Sequence, residues 1–258
     1  MNKKLIYYWY MPGEWDSIYD LHLKNLALYL PVQNFQEKLF IISYNKGDYT
    51  VAPYVLKLID KLKELAPDAK FVFLDNDPVL REAKYFYNEI ATKLGGFNED
   101  DVIFWAHAKG KFSTYKPRHL VNMWVNLMYF GNLASVKGID EFMANQDRFC
   151  LGTLFWDTTN TKLREDYDNQ RFHWHYSGTF FWFKPRKIDE YIKQNDIQIP
   201  ENNHWFAECF LGNVVPQEKV MYTYGKYEDD IMKFFNNMSQ PARGNFAKIH
   251  NAFTYNFQ

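Results

Sequence analysis

The sequence predicts an α/β protein with a mainly parallel, doubly wound sheet flanked by helices. Three observations lead there. Strand-length apolar runs alternate with helical stretches as β-α-β-α-β-α-β up to Gly110. The connections between them are short. The run Val102–Trp105 is apolar without alternation, the mark of a strand buried on both faces. That strand stops in His107-Ala108-Lys109-Gly110. Ligands of open α/β sheets bind beyond the carboxyl ends of strands. Two basic groups and a glycine at that place predict an anion site, suited to a diphosphate.

Each element has its own signal. Lys4–Tyr10 is a β-rich run closed by Met11-Pro-Gly13. Asp16 caps a helix to about Leu30, with an apolar stripe through Ile18, Leu21, Leu26 and Leu30. Lys38–Ser43 is the second strand, followed by Tyr44-Asn45-Lys46-Gly47. Pro53–Leu65 is an amphipathic helix stopped at Ala66-Pro67. Lys70–Leu74 is the third strand and ends in Asp75-Asn76-Asp77-Pro78. Val79–Leu94 reads as a helix with Gly95-Gly96 as its C-cap. Beyond Gly110 the pattern changes. Pro117 to about Met143 reads as one long helix broken near Gly131 or Gly138, and Arg148–Phe155 as a strand. The polar stretch 160–170 is the candidate lid. Phe172–Phe183 is dense in aromatics and is closed by Pro185. Helical segments follow at Ile188–Lys193 and Trp205–Leu211. A short helix (228–237) and an aromatic strip (248–257) end the chain. With no repeat, low-complexity tract or linker, the expectation is one domain over 1–258 in two halves, 1–115 and 116–258.

Composition bounds the function. Aromatics reach 19%, more than a core requires, and suit a cleft that stacks flat rings or sugars. A net charge of −1 favours neither nucleic acid nor an anionic membrane as partner. Cys150 and Cys209 give no disulfide framework. The first apolar run is too short for a signal peptide and no stretch is long enough to span a bilayer, so a cytoplasmic protein is expected. Neither GxGxxG nor GxxxxGK[ST] occurs.

Four groups of residues could carry chemistry. His107 and Lys109, two apart at a strand end, point to one side. Lysine offers a phosphate a point charge, and Gly110 admits the backbone close to it. His173 and His175 alternate to one face of a strand, as a metal-ligand pair would; half-exposed strand histidines are the plainer reading. Ser177-Gly178, small amid large rings, marks a close approach by a ligand or by another backbone. Glu208 stands in an otherwise apolar helix, either paired with a cation or raised in pKa toward a general base. Asp75-Asn76-Asp77 matches Asp-x-Asp superficially and reads equally well as a turn and N-cap.

Taken together, Phe104-Trp-Ala-His-Ala-Lys-Gly110, Trp124, Trp174-His-Tyr-Ser-Gly-Thr-Phe-Phe-Trp-Phe183 and Ala207-Glu208 form an ordered set. The set resembles a little-characterised family of glycosyltransferases with a His-x-Lys-Gly motif and a later His-[Phe/Tyr]-[Ser/Ala]-Gly-[Asn/Thr]-Phe-[Phe/Trp]-Trp motif. That family is distantly similar to bacterial rhamnan-synthesis transferases. Arg81-Glu82 also matches an Arg-Glu pair of its members. The resemblance spans about half of the chain, from Val79 to Gly212. It implies a GT-A-like fold, Rossmann-like with an acceptor-binding C-terminal half. It also implies a hexosyl- or deoxyhexosyltransferase of polysaccharide biosynthesis.

On that resemblance Lys109, Gly110, Asn45 and Asp75 bind a nucleotide-sugar donor, and Glu208 and His107 are catalytic. Trp174, Tyr176, Ser177, Gly178 and Trp182 receive a glycan or lipid-linked glycan acceptor. In this fold the corresponding strand usually ends in Asp-x-Asp and holds a divalent metal on the donor diphosphate. Here His107-Ala108-Lys109 stands there. No metal ligand is therefore assigned, and Mn²⁺ or Mg²⁺ stays open as a cofactor. Two rivals come from other classes: a metal-dependent hydrolase built on His107, His173, His175 and Asp157, and a catalytically silent glycan-binding domain.

Overall fold

The structure, a computed structural model, describes residues 2–77, 86, 101–108, 118–153, 155–157, 174–198 and 206–223. These residues all belong to one compact unit, Met1–Lys226. Outside them fall the expected helix 79–94 apart from Phe86, Arg81-Glu82, Gly95-Gly96, Lys109-Gly110, the 160–170 stretch, His173, Trp205 and both tail segments.

The strands are β1 (Asn2–Met11), β2 (Glu37–Tyr44), β3 (Lys70–Asp75), β4 (Asp101–His107), β5 (Cys150–Gly152), β6 (Phe155–Asp157), β7 (Trp174–Tyr176), β8 (Phe181–Phe183) and β9 (Val220–Tyr222). The helices are α1 (Ser17–Gln33), α2 (Ala52–Leu65), α3 (Arg118–Leu133), α4 (Val136–Ala144), α5 (Pro185–Gln194) and α6 (Phe206–Val214). Seven strands form one sheet in the order β3-β2-β1-β4-β8-β5-β9, and β6 pairs with β7 separately. β1 to β4 are parallel, β8 runs against both of its neighbours, and β9 is parallel to β5. This mainly parallel sheet flanked by helices is the expected class, and the second half joins it through β8.

Alternation along the strands sorts the core into two faces. Tyr7, Phe104 and Trp182 face α1 and α3. There Trp182 stacks on Phe35 at 5.4 Å and donates its indole N–H to the Asn132 carbonyl at 2.8 Å. Gln33 reaches the Leu133 carbonyl at 2.6 Å and fastens α1 to α3. Ile6, Tyr8, Trp105, Phe181 and Phe183 pack with Phe210, Leu211 and Val214 of α6 and Ile188 of α5 on the other face. Much of the high aromatic content is therefore core.

Several boundaries differ from the sequence reading for local reasons. α1 runs through Pro31 to Gln33, where Asn34 closes it at φ 49°. The expected helix 117–143 is two helices, and the break falls at Ser135 rather than at a glycine. The Ser135 hydroxyl accepts the Gly138 amide at 3.0 Å and caps α4. Arg148–Phe155 divides into β5 and β6. Pro185 opens α5, since its ring angle suits a first helical turn and its missing N–H costs nothing there. No helix among the described residues is long and apolar enough to cross a membrane.

Candidate functional site

The chain moves outward from β1 to β2 to β3, then returns to place β4 on the opposite side of β1. Strand order thus reverses between β1 and β4, and in open α/β sheets the crevice beyond the carboxyl ends at such a point is the usual ligand site. The register brings four strand ends to one edge: Tyr8 opposite His107, Met11 opposite Tyr44, and Tyr44 opposite Asp75. The Ala108 amide donates to the Tyr8 carbonyl at 2.9 Å and carries the pairing one residue past His107. His107 is buried at the close of β4, its ring 6.3 Å from that of Phe180. Lys109 and Gly110 follow directly, outside the described residues.

Asn45 and Asp75 share this edge and are joined through one amide. The Asp75 carboxylate accepts the Lys46 N–H at 3.2 Å and the Asn76 N–H at 3.1 Å, and Asn45 accepts the Gly47 N–H at 3.1 Å. Both side chains thus shape turns, the plainer of the two readings of Asp75-Asn76-Asp77.

The aromatic motif does two things. The expected acceptor rings are core residues: Trp174 and Trp182 are fully buried, and Tyr176 almost so. The Trp174 indole donates to the Val215 carbonyl at 2.8 Å and the Tyr176 hydroxyl to the Met221 carbonyl at 2.6 Å. Rings enclosed on both faces offer no stacking surface, which corrects their assignment to the acceptor. Burial also pushes the Tyr176 hydroxyl well above its ordinary pKa. Between β7 and β8, Ser177–Thr179 form a single 3-10 turn with Gly178 at φ 80°. A Cβ on Gly178 would overlap Met128 Sδ and press on Trp124, so the group that comes close here is the α3 side chains, where a ligand or another backbone was expected.

Glu208 lies in α6, which packs on β7 and on the 177–179 turn. Gly212 makes this docking feasible, because a Cβ there would fall inside the Trp174 carbonyl oxygen. Glu208 is one helical turn earlier, a spacing that shares a face with Gly212; its side chain is outside the description. The 177–179 turn also touches β4. The end of β4, the small-residue turn and the Glu208 helix therefore meet in one region.

Of the residues of the hydrolase rival, His173 and the Asp157 side chain lie outside the described residues. His107 ends a strand of the main sheet, while His175 stands opposite Trp156 in the separate β6-β7 pair, where Asp157 faces Trp174 in register. Among the described residues no group of three or more His, Cys, Asp or Glu side chains could hold a metal ion.

Three features escaped the sequence reading. Tyr7, His22 and Tyr129 form a fully buried triangle, with 2.7 Å from the Tyr7 hydroxyl to His22 Nδ1 and to the Tyr129 hydroxyl, and 3.0 Å between the latter two. Lys184 is buried and donates to the carbonyls of Phe142, Met143 and Asn145 at the end of α4. Arg118 pairs with Asp16, the N-cap of α1, and donates to Ser17 Oγ at 3.1 Å. Each joins residues far apart in sequence, so only a lone polar residue in an apolar helix, as with His22, could have hinted at them.

The sequence matches no family model and no curated protein. Several solved structures share a loose likeness with it, two of them sugar transferases. One is a galactosyltransferase, LgtC, in complex with donor and acceptor sugar analogues, at 8% identity and TM-score 0.38, covering 85% of this chain and 72% of that one. The other is the mannosyltransferase PcManGT from Pyrobaculum calidifontis, in complex with GDP-Man and Mn²⁺, at 10% identity and TM-score 0.35, covering 86% of this chain. This chain spans 56% of the mannosyltransferase's length. At these scores neither likeness assigns an activity here.

Proposed function

We propose that this protein is a GT-A-type glycosyltransferase that moves a hexose or deoxyhexose from a nucleotide-diphosphate donor to a hydroxyl of a glycan or glycolipid acceptor. One observation supports this above all: strand order reverses between β1 and β4, and the Ser177–Thr179 turn touches both β4 and the Glu208 helix. Lys109 and His107 hold the diphosphate, with Gly110 letting the chain approach it, and the Asn45 and Asp75 turns border the donor. As the acceptor oxygen attacks the anomeric carbon, Glu208 takes its proton. The bond from that carbon to the diphosphate breaks, and the electron pair leaves with the phosphate. Lysine and histidine offset the charge that develops on the leaving group, the task a metal performs in other members of the fold. No step here passes through a metal.

The test is titration of nucleoside diphosphates into wild type and Lys109→Ala, each with chelator and with Mn²⁺. One charge-assisted contact contributes about 1.5–3 kcal/mol, so Lys109→Ala weakens binding roughly ten- to a hundredfold. Chelation costs much less. Binding that vanishes with chelator yet survives in Lys109→Ala returns the protein to a metal-dependent mechanism. Glycan binding without any nucleoside diphosphate binding identifies a carbohydrate-binding module instead.

A further inference from the structure

The rings first expected to carry a sugar are enclosed, yet one tryptophan beside the same turn keeps part of its surface exposed. β8 runs against β4 with Phe181 opposite Trp105, so the Ser177–Thr179 turn just before it lies at the carboxyl edge of the sheet. α3 sets Trp124 and Met128, one helical turn apart on a shared face, against Gly178. A Cβ on Gly178 would lie 3.0 Å from Trp124 Cζ2, so the bare glycine is what lets the indole sit there. Among the described residues Trp9, Trp105, Trp174 and Trp182 are fully buried, and the Lys57 ammonium lies 3.9 Å over the Trp15 ring. Trp124 is only half-buried. The turn beneath it is held at a cost. Thr179, β-branched and fully buried, adopts φ 57°, and its hydroxyl has no hydrogen-bond partner among the described residues. Strain of this kind collects where a backbone shape serves a ligand. The shape obtained here is a left-handed pair, Gly178 and Thr179, that receives the α3 indole on a turn touching both β4 and the Glu208 helix.

We propose that Trp124 is the ring on which the acceptor sugar stacks, and that the Gly178–Thr179 turn positions it. A pyranose presents C–H groups on its faces and hydroxyls around its rim, so an indole covers the apolar face while the hydroxyls stay free to react. The inference rests on the reading of Glu208 as the base that takes the acceptor's proton, since the turn beside Trp124 also touches the Glu208 helix. Removing the ring costs about three- to tenfold in glycoside affinity. Trp124→Leu therefore raises the acceptor KM, while Trp124→Phe, which keeps a ring, recovers most of the loss. Affinity for nucleoside diphosphates stays constant in both. Gly178→Ala pushes the indole from its seat and loses glycoside affinity alone.

The experiment titrates methyl glycosides of glucose, galactose, mannose and rhamnose, and separately nucleoside diphosphates, into each protein with its tryptophan indoles isotopically labelled for NMR. Circular dichroism melts confirm that each variant is folded. The indole resonance missing from Trp124→Phe assigns Trp124 in wild type. It is expected to shift with a glycoside and to stay in place with a nucleoside diphosphate. No glycoside binding by wild type, or equal affinity in wild type and Trp124→Leu, overturns the inference. Full glycoside affinity in folded Gly178→Ala overturns the part assigned to the turn. Loss of nucleoside diphosphate affinity in Trp124→Leu with glycoside affinity unchanged also overturns the inference, since the ring would then stack on the base. If glycosides bind through Trp124 while wild type binds no nucleoside diphosphate, the transferase reading fails and Trp124 stands as the ring of a carbohydrate-binding module.

Discussion

Lys184 shows how one buried side chain can carry a measurable pH dependence. Its ammonium closes the carboxyl end of α4 through three carbonyls, and burial pulls its pKa from 10.5 down to about 8, with Lys187 adding repulsion. Between pH 8 and 10.5 the unfolded chain therefore binds more protons at this site than the folded one, so this contribution to stability rises with pH and is flat below 8. Urea midpoints at pH 7.5 and pH 10 are expected to move upward in wild type relative to Lys184→Met, while the variant is the less stable at both because the α4 carbonyls lose their donor. A parallel shift in both proteins would place the dependence elsewhere. Lys4 differs: burial lowers its pKa, but hydrogen bonds to Asp101 and Glu37 outweigh that and leave it raised. At Glu208 the chemistry itself is at stake. Glu208→Gln is expected to keep nucleoside diphosphate affinity and to lower turnover by about two to four orders of magnitude, the range of a general base. Steady-state kinetics beside a binding titration separates these, and unchanged turnover would make Glu208 structural.

At the scale of elements, α6 depends on Gly212. Alanine there gains about 1 kcal/mol in helix propensity, yet its Cβ would occupy the Trp174 carbonyl. Overpacking against backbone costs about 1–3 kcal/mol or more, so Gly212→Ala is expected to destabilise on balance and to shift α6 from β7. Chemical denaturation reads the first effect and loss of turnover the second. Gains in stability with full activity would show that α6 is not seated by this contact. The elements also show what the sequence could reveal. β1 to β4 were legible because each is a local apolar run, and α2 because its stripe has helical period. The break at Ser135 was not, since a serine cap and an exposed serine look alike in sequence. The roles of Trp174, Tyr176 and Trp182 were misread because an aromatic strand looks the same whether a sugar or a helix covers it. His107 at the end of β4 was legible in placement, whereas the Arg118–Asp16 pair, joining residues so distant, left no local trace.

At the scale of the molecule, the main sheet of the described residues extends from β3 to β9, and within it β8 alone runs against the rest. Its three residues pair with β4 on one side and β5 on the other, in register from Ile103 through Phe183 to Cys150. That short strand has a consequence for how the chain is made. β1 to β4 emerge first from the ribosome and can pair among themselves, but the outer edge of β4 has no neighbour until Phe181–Phe183 appear. At about 5–20 residues per second, the wait between His107 and Phe181 lasts roughly 4–15 s. Throughout it, a fully apolar run from Val102 to Ala106 presents an unpaired edge, the kind of template on which nascent chains aggregate. Slow elongation through this interval therefore favours loss of the newborn chain, and a holdase that covers the β4 edge for those seconds raises the yield of folded protein.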